Sequence, residues 1–262
     1  MTALQYTLND SATMLRRNLR RMRRYPTLPF VAGIPIFFLL LFVYVLGGTL
    51  GAGLGGDGSR ADYVTYLTPG ILLMTVAVGA TGTAISVAMD MTEGIVARFR
   101  TMAISRASVL VGHVAGSVIQ TALALAVVMG VALLIGFRPT TGPLAWVAAA
   151  GLLALTTLAI TWLSVALGMS TRSVETASNL PMFLMLLLFL GSGFVPTQTM
   201  PDGLRWFAEN QPFTPIIETL RGLLLGTPIG DRGLIAVAWC VAISLFGFVW
   251  ARRLYEREPA HR

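Results

Sequence analysis

The sequence predicts an all-α polytopic membrane protein with six transmembrane helices, and three observations carry that prediction. The chain of 262 residues is 55% hydrophobic and 12% charged, where a soluble domain carries about 25% charged residues; its mean hydropathy is +0.73. Several apolar runs reach the length of about 18 residues or more that a hydrocarbon core of about 30 Å requires. All 19 basic side chains are arginine, and they cluster between alternate runs. A β-barrel would instead alternate polar and apolar residues over short segments.

The whole chain, 1–262, reads as one transmembrane domain: an amphipathic helix over 1–26, six spans within 27–251 and a tail over 252–262. In the first segment Leu8, Ala12, Leu15, Leu19 and Met22 recur at helical spacing, with Arg16, Arg17, Arg20, Arg21, Arg23 and Arg24 around the opposite face. Such a basic helix suits the membrane interface and anionic lipid; the plainer alternative is a positive anchor that only sets topology. No small-residue cleavage site follows the first apolar run, so that run is read as a retained span.

The spans are placed at 27–48, 63–89, 107–136, 144–168, 178–195 and 233–251. The segment GGTLGAGLGGDGS after the first span is a flexible loop; it lacks a phosphate-binding lysine and follows a membrane helix rather than a strand. Pro181 is expected to kink the fifth span, as packing more than as a hinge. Arginine placement orients the chain, with 14 on the side of both termini and 5 on the other, so both termini are expected in the cytoplasm of a bacterial plasma membrane.

Two connections are too patterned to be plain turns. In MDMTEGIVARFRTMAISRAS, after the second span, Met91, Ile95, Phe99 and Met102 make one apolar face while Asp90, Glu93 and Arg100 fall toward the other. This is either a short surface helix able to dock on a soluble partner, or a solvated connection whose charges set topology. Before the last span, GFVPTQTMPDGLRWFAENQPFTPIIETLRGLLLG predicts two short helices, the first with Pro201 in its first turn, the second opened by Thr214 and Pro215 and stopped at Gly226. Such a pair could dip back into the outer leaflet, with Trp206 and Phe207 at the interface.

Composition excludes several chemistries. Without lysine there is no P-loop lysine and no Schiff base. One cysteine, Cys240, and two histidines, His113 and His261, make neither a disulfide nor a metal cluster. No paired carboxylates or nucleophile–base constellation mark an enzyme, and nothing points to nucleic acid. An ion-coupled secondary transporter would need buried ionisable groups; only His113, with Asp90 and Glu175 at span ends, come near, and a hydrogen-bonded packing role for His113 is the favoured reading.

These residues together resemble the permease subunits of ABC-2 type exporters, of the daunorubicin/doxorubicin-resistance kind. The charged segment after the second span, the proline-rich stretch FVPTQTMPDGLRWFAENQPFTPIIETLRGLLLG and the six-span plan with a basic N-terminal helix all match, over nearly the whole chain; Ala103 stands where proline is usual. The resemblance implies a coupling helix that sits in a cleft of a separate ATP-binding subunit and includes Asp90, Glu93, Gly94, Arg98, Phe99 and Arg100. The loop at 169–177 would make a smaller contact. It implies a re-entrant outer motif at Pro196, Pro201, Pro212, Pro215 and Arg221. It also implies ATP and Mg on the partner and none in this chain, and a second permease, either another copy or a paralogue. The substrate would be an amphipathic drug or lipid-like molecule. Met182, Met185 and Phe189 on the fifth span are candidates for its path, against the simpler reading that they face lipid or neighbouring helices.

Overall fold

The computed structural model describes residues 27–48, 60–92, 106–171, 173–179 and 182–256. The expected N-terminal amphipathic helix, the glycine-rich loop over 49–59 and the C-terminal tail beyond Glu256 lie outside the described residues.

The described chain is helical. It forms α1 (Thr27–Leu40), continued by a π-helical stretch Leu41–Leu46, then α2 (Arg60–Thr92), α3 (Arg106–Leu134) and α4 (Pro143–Ser170). Two short helices follow, α5 (Val174–Asn179) and α6 (Met182–Phe189), then a 3₁₀ turn Thr197–Thr199, α7 (Asp202–Asn210), α8 (Phe213–Leu225) and α9 (Arg232–Glu256). Five helices are long and apolar enough to cross a membrane: Leu28–Leu46, Ala61–Thr92, Val111–Leu134, Pro143–Ser170 and Arg232–Glu256. The expected fifth span over 178–195 is described in part: Val174–Phe189 is apolar and helical on both sides of residues 180 and 181, which lie outside the described residues. The helices α5 and α6 are its described parts, and turns at 190–194 follow α6. The expected kink at Pro181 falls outside the described residues; Gly191 and Gly193 stand in the turns.

The bundle is organised around α2, which packs against α1, α3, α4, α5, α6 and α8. In lipid, helices gain little from mutual apolarity and associate through close backbone packing at small residues. The sequence supplies that along α2. A Cβ on Gly70 would lie 2.6 Å from the carbonyl oxygen of Gly193, and one on Gly79 would collide with the Thr121 hydroxyl. On α4, a Cβ at Gly168 would lie 2.5 Å from the carbonyl oxygen of Ala84. The helix α9 is joined mainly to α4. Its buried stripe is Ala236, Cys240, Gly247 and Ala251, and a Cβ on Gly247 would lie 2.6 Å from the backbone nitrogen of Leu163.

Several threonine hydroxyls buried in this apolar interior are satisfied inside their own helices. Thr68, Thr75 and Thr83 donate to the carbonyls of Val64, Ile71 and Gly79, and Thr156 and Thr157 to those of Leu152 and Leu153. This back-bonding lets polar residues sit at membrane depth without a partner helix.

Candidate functional site

Three places in the bundle carry polar or open features. The first is the α2–α3 hairpin, whose two helices run antiparallel on either side of residues 93–105. Its interface is a polar seam. Thr121 packs on Gly79, Thr83 hydrogen-bonds Ser117, and His113 Nε2 lies 3.1 Å from Asp90 Oδ2. His113, Ser117 and Thr121 step by four along α3, so one helix face presents all three. Asp90 is 1% exposed and His113 9%. Asp90 therefore stands inside the bundle at the end of α2. The other residues expected to form the docking segment, Glu93, Gly94, Arg98, Phe99 and Arg100, lie outside the described residues.

The second place is the opposite end of the bundle, built by the proline-rich stretch. Pro196 opens the 3₁₀ turn, and Pro201 stands at the N-cap of α7 rather than within its first turn. Pro212 is the N-cap of α8, so this helix starts ahead of the expected Thr214–Pro215 pair. The cause is Gln211, 4% exposed, whose Oε1 accepts from the Phe213 backbone N–H while its Nε2 donates to Thr214 Oγ1. Thr214 Oγ1 in turn accepts from the Ser192 backbone N–H at 3.2 Å. At the far end of α8, Gly226 takes φ +73°, which favours glycine, and its N–H bonds the Gly222 carbonyl. The last carbonyls are capped from the α3–α4 connection, by Thr140 on Leu224 and Leu225 and by Thr141 on Leu224.

Ion pairs lock these pieces together. Arg205 Nε bonds Glu209 at 2.8 Å, Arg232 pairs with Glu218 at 3.2 Å, and Arg232 also donates to the Glu209 carbonyl. The hydrogen bond from Arg205 holds the Glu209 carboxyl below its ordinary range. Arg221 reaches back from α8 to α2. Its Nη2 donates to the carbonyls of Tyr66 at 3.2 Å and Ser192 at 2.9 Å, and its guanidinium carbon lies 4.0 Å from the centre of the Tyr66 ring.

The third place is an apolar cavity of about 250 Å³ between α2, α3, α4 and α8, lined by Leu72, Val118, Met129, Trp146, Leu153 and Leu224 among others. None of the expected path residues lines it. Met182 is 71% exposed and Phe189 36%, while Met185 packs at the edge of the core. Phe189 stacks on Phe194 with ring centres 4.5 Å apart. Among the described residues no three of His, Cys, Asp and Glu come together as a metal site.

The family model of the ABC-2 type transporter matches residues 11–225. The chain belongs to the ABC-2 type transporter family. Relatives of this family member extend over almost its full length. It is 29% identical over 99% of its length to the daunorubicin resistance ABC transporter permease protein DrrB1 of Streptomyces coeruleorubidus, covering 89% of that protein. It is 24% identical over 95% of its length to the probable doxorubicin resistance ABC transporter permease protein DrrC of Mycobacterium tuberculosis, covering 90% of that protein.

Sequence reasoning singled out Asp90, His113 and Arg221 but not their partners. For Asp90 and His113 the signal was available: each lies at the near end of one of two consecutive spans, and a hairpin brings such ends together. For Tyr66, Ser192 and Gln211 there was none, because their contacts are made across the tertiary fold and largely through backbone carbonyls.

Proposed function

We propose that this chain is the membrane subunit of an ATP-driven exporter that moves amphipathic, drug-like molecules out of a bacterial cell, with ATP and Mg held by a separate subunit. The observation that carries the reading is the α2–α3 hairpin. Two long helices, joined side to side by a polar seam with Asp90 and His113 at its open end, flank the charged segment that resembles a coupling helix. A push on residues 93–105 would enter both helices as one body, and α2 would pass it to the six helices it touches. In this reading Glu93, Gly94, Arg98, Phe99 and Arg100 meet the ATP-binding subunit, and Asp90 anchors the segment from within the bundle.

The same reading supplies six crossings, with 174–195 completing the set. Both termini are then cytoplasmic, α7 and α8 form the re-entrant outer pair with Pro196, Pro201, Pro212, Pro215 and Arg221, and two permeases work with two ATP-binding subunits. The names of the relatives support a drug-like substrate. Met182 and Phe189, exposed on α6, and Met185 at the edge of the core are then candidates for a path formed with a second permease or lipid.

The test is co-purification of the tagged chain from mildly solubilised native membranes, as wild type and as Glu93→Arg plus Phe99→Asp. An ATP-binding subunit should accompany the wild type and be lost from the variant, while the variant still inserts. Failure of any ATP-binding subunit to accompany the wild type would remove the reading. The ion-coupled alternative has one observation in its favour, the buried Asp90–His113 pair. It requires transport to survive ATP depletion and to stop when the proton gradient collapses.

A further inference from the structure

We propose that Arg221 and Ser192, walled by Tyr66, form a binding site for a phosphate oxyanion at the end of the bundle that carries α7 and α8. The site is held rigidly. Two carbonyls, of Tyr66 and Ser192, take both hydrogen bonds of Arg221 Nη2, and the Tyr66 hydroxyl donates to the same Ser192 carbonyl at 2.8 Å. The backbone at Ser192 is itself fixed by Thr214 Oγ1.

What the arrangement leaves over is a set of donors. Arg221 Nε and Ser192 Oγ are buried with no hydrogen-bond partner, and so is the hydroxyl of Tyr63, one turn along α2 from Tyr66. Ser192 is 3% exposed and Tyr63 1%. Buried donors without partners are rare because each forfeits its hydration, so the two that meet here, on Arg221 and Ser192, point to a group that completes them. Charge narrows the choice. The nearest carboxylate along α8, Glu218, is paired with Arg232, and among the described residues no carboxylate lies within ion-pair distance of Arg221. An anionic acceptor would answer both the open donors and the guanidinium charge. A planar carboxylate is best met by the two-pronged edge of a guanidinium, but here Nη2 is already committed to carbonyls. Single donors arriving from separate side chains suit a tetrahedral phosphate better.

Depth points to the source. Tyr66 lies six residues into α2, about 9 Å from its start at 1.5 Å per residue, near the level of lipid headgroups. Arg221 keeps partial exposure, which leaves an approach. A phospholipid headgroup and free phosphate share the required chemistry.

The experiment uses the full-length chain in a maltoside detergent, which brings no phosphate. Short-chain phosphatidylglycerol is the first probe, read by native mass spectrometry; inorganic phosphate is the second, read by thermal shift. Arg221→Gln should weaken binding about tenfold or more, and Ser192→Ala several-fold. Ser192→Ala removes a hydroxyl that bonds nothing, so the unliganded variant should unfold at the wild-type temperature or higher. Variant-sensitive retention of the lipid assigns the site to a headgroup, and variant-sensitive stabilisation by phosphate assigns it to the free anion. If neither probe separates the wild type from the two variants, the proposal is overturned. The outcome is independent of whether an ATP-binding subunit co-purifies.

Discussion

At Asp90 and His113 two titratable side chains share one contact in a setting nearly closed to solvent. Removing His113 leaves the Asp90 carboxylate buried with one partner fewer, so His113→Ala should destabilise the detergent-purified chain by about 2–4 kcal/mol. Asp90→Asn combined with His113→Ala should cost less than the sum of the single changes, because the second change then removes a contact already lost. Thermal unfolding of the four proteins measures this, and strict additivity would show that the two side chains are not coupled. Glu209 makes a second prediction, about pH. Its hydrogen bond from Arg205 depresses its folded pKa below the ordinary 4.5. The stabilisation is therefore complete above 4.5 and is lost as pH falls through the depressed folded value. Trp206, on the same helix and 69% exposed, reports it in a chain whose other four tryptophans are changed to phenylalanine. Its fluorescence should change as acid releases Glu209, and Glu209→Gln should flatten that titration.

Among the helices, packing is decided where glycine lets backbones meet. Gly247→Leu places a side chain against the Trp162–Leu163 backbone and should force α9 away from α4, with a loss of about 1–3 kcal/mol. Gly130, also in a long helix, has nothing within 4 Å of a built Cβ. Gly130→Ala should be neutral or stabilise by about 0.5–1 kcal/mol through the helix preference for alanine. Equal effects at the two positions would contradict the close approach. The elements themselves were largely legible. Hydropathy located the long helices α2, α3, α4 and α9, because span length is set by the bilayer and not by tertiary contacts. The α8 stop at Gly226 was legible from one glycine, whereas its start was not, because Gln211 rather than Thr214 bonds the first N–H of the helix. The candidate site was legible in parts: the residue types stood out, and their partners 23 to 155 residues away in sequence did not.

For the molecule as a whole, the two ends of the bundle differ in kind. One end holds α7, α8 and the ion pairs that join them to α9. The other holds the end of α2, the start of α3 and the end of α4, the first two joined in sequence by the charged segment; in the six-crossing reading proposed above the arginine excess falls to this side, 14 to 5. In that reading the positive-inside rule puts α7 outside and the end of α9 inside. Cys240 makes the test simple. It is the sole cysteine and is 1% exposed, so it should stay silent to a thiol reagent that cannot cross membranes. Gly203, on α7 with open space around a built Cβ, can be changed as Gly203→Cys at little structural cost, and Glu256→Cys marks the opposite end. In intact cells the reagent should label Gly203→Cys and spare Glu256→Cys until the membrane is opened. The reverse pattern would turn the chain over and place residues 93–105 outside, where no ATP-binding subunit could reach them, so this one measurement bears on the orientation and on the coupling reading together.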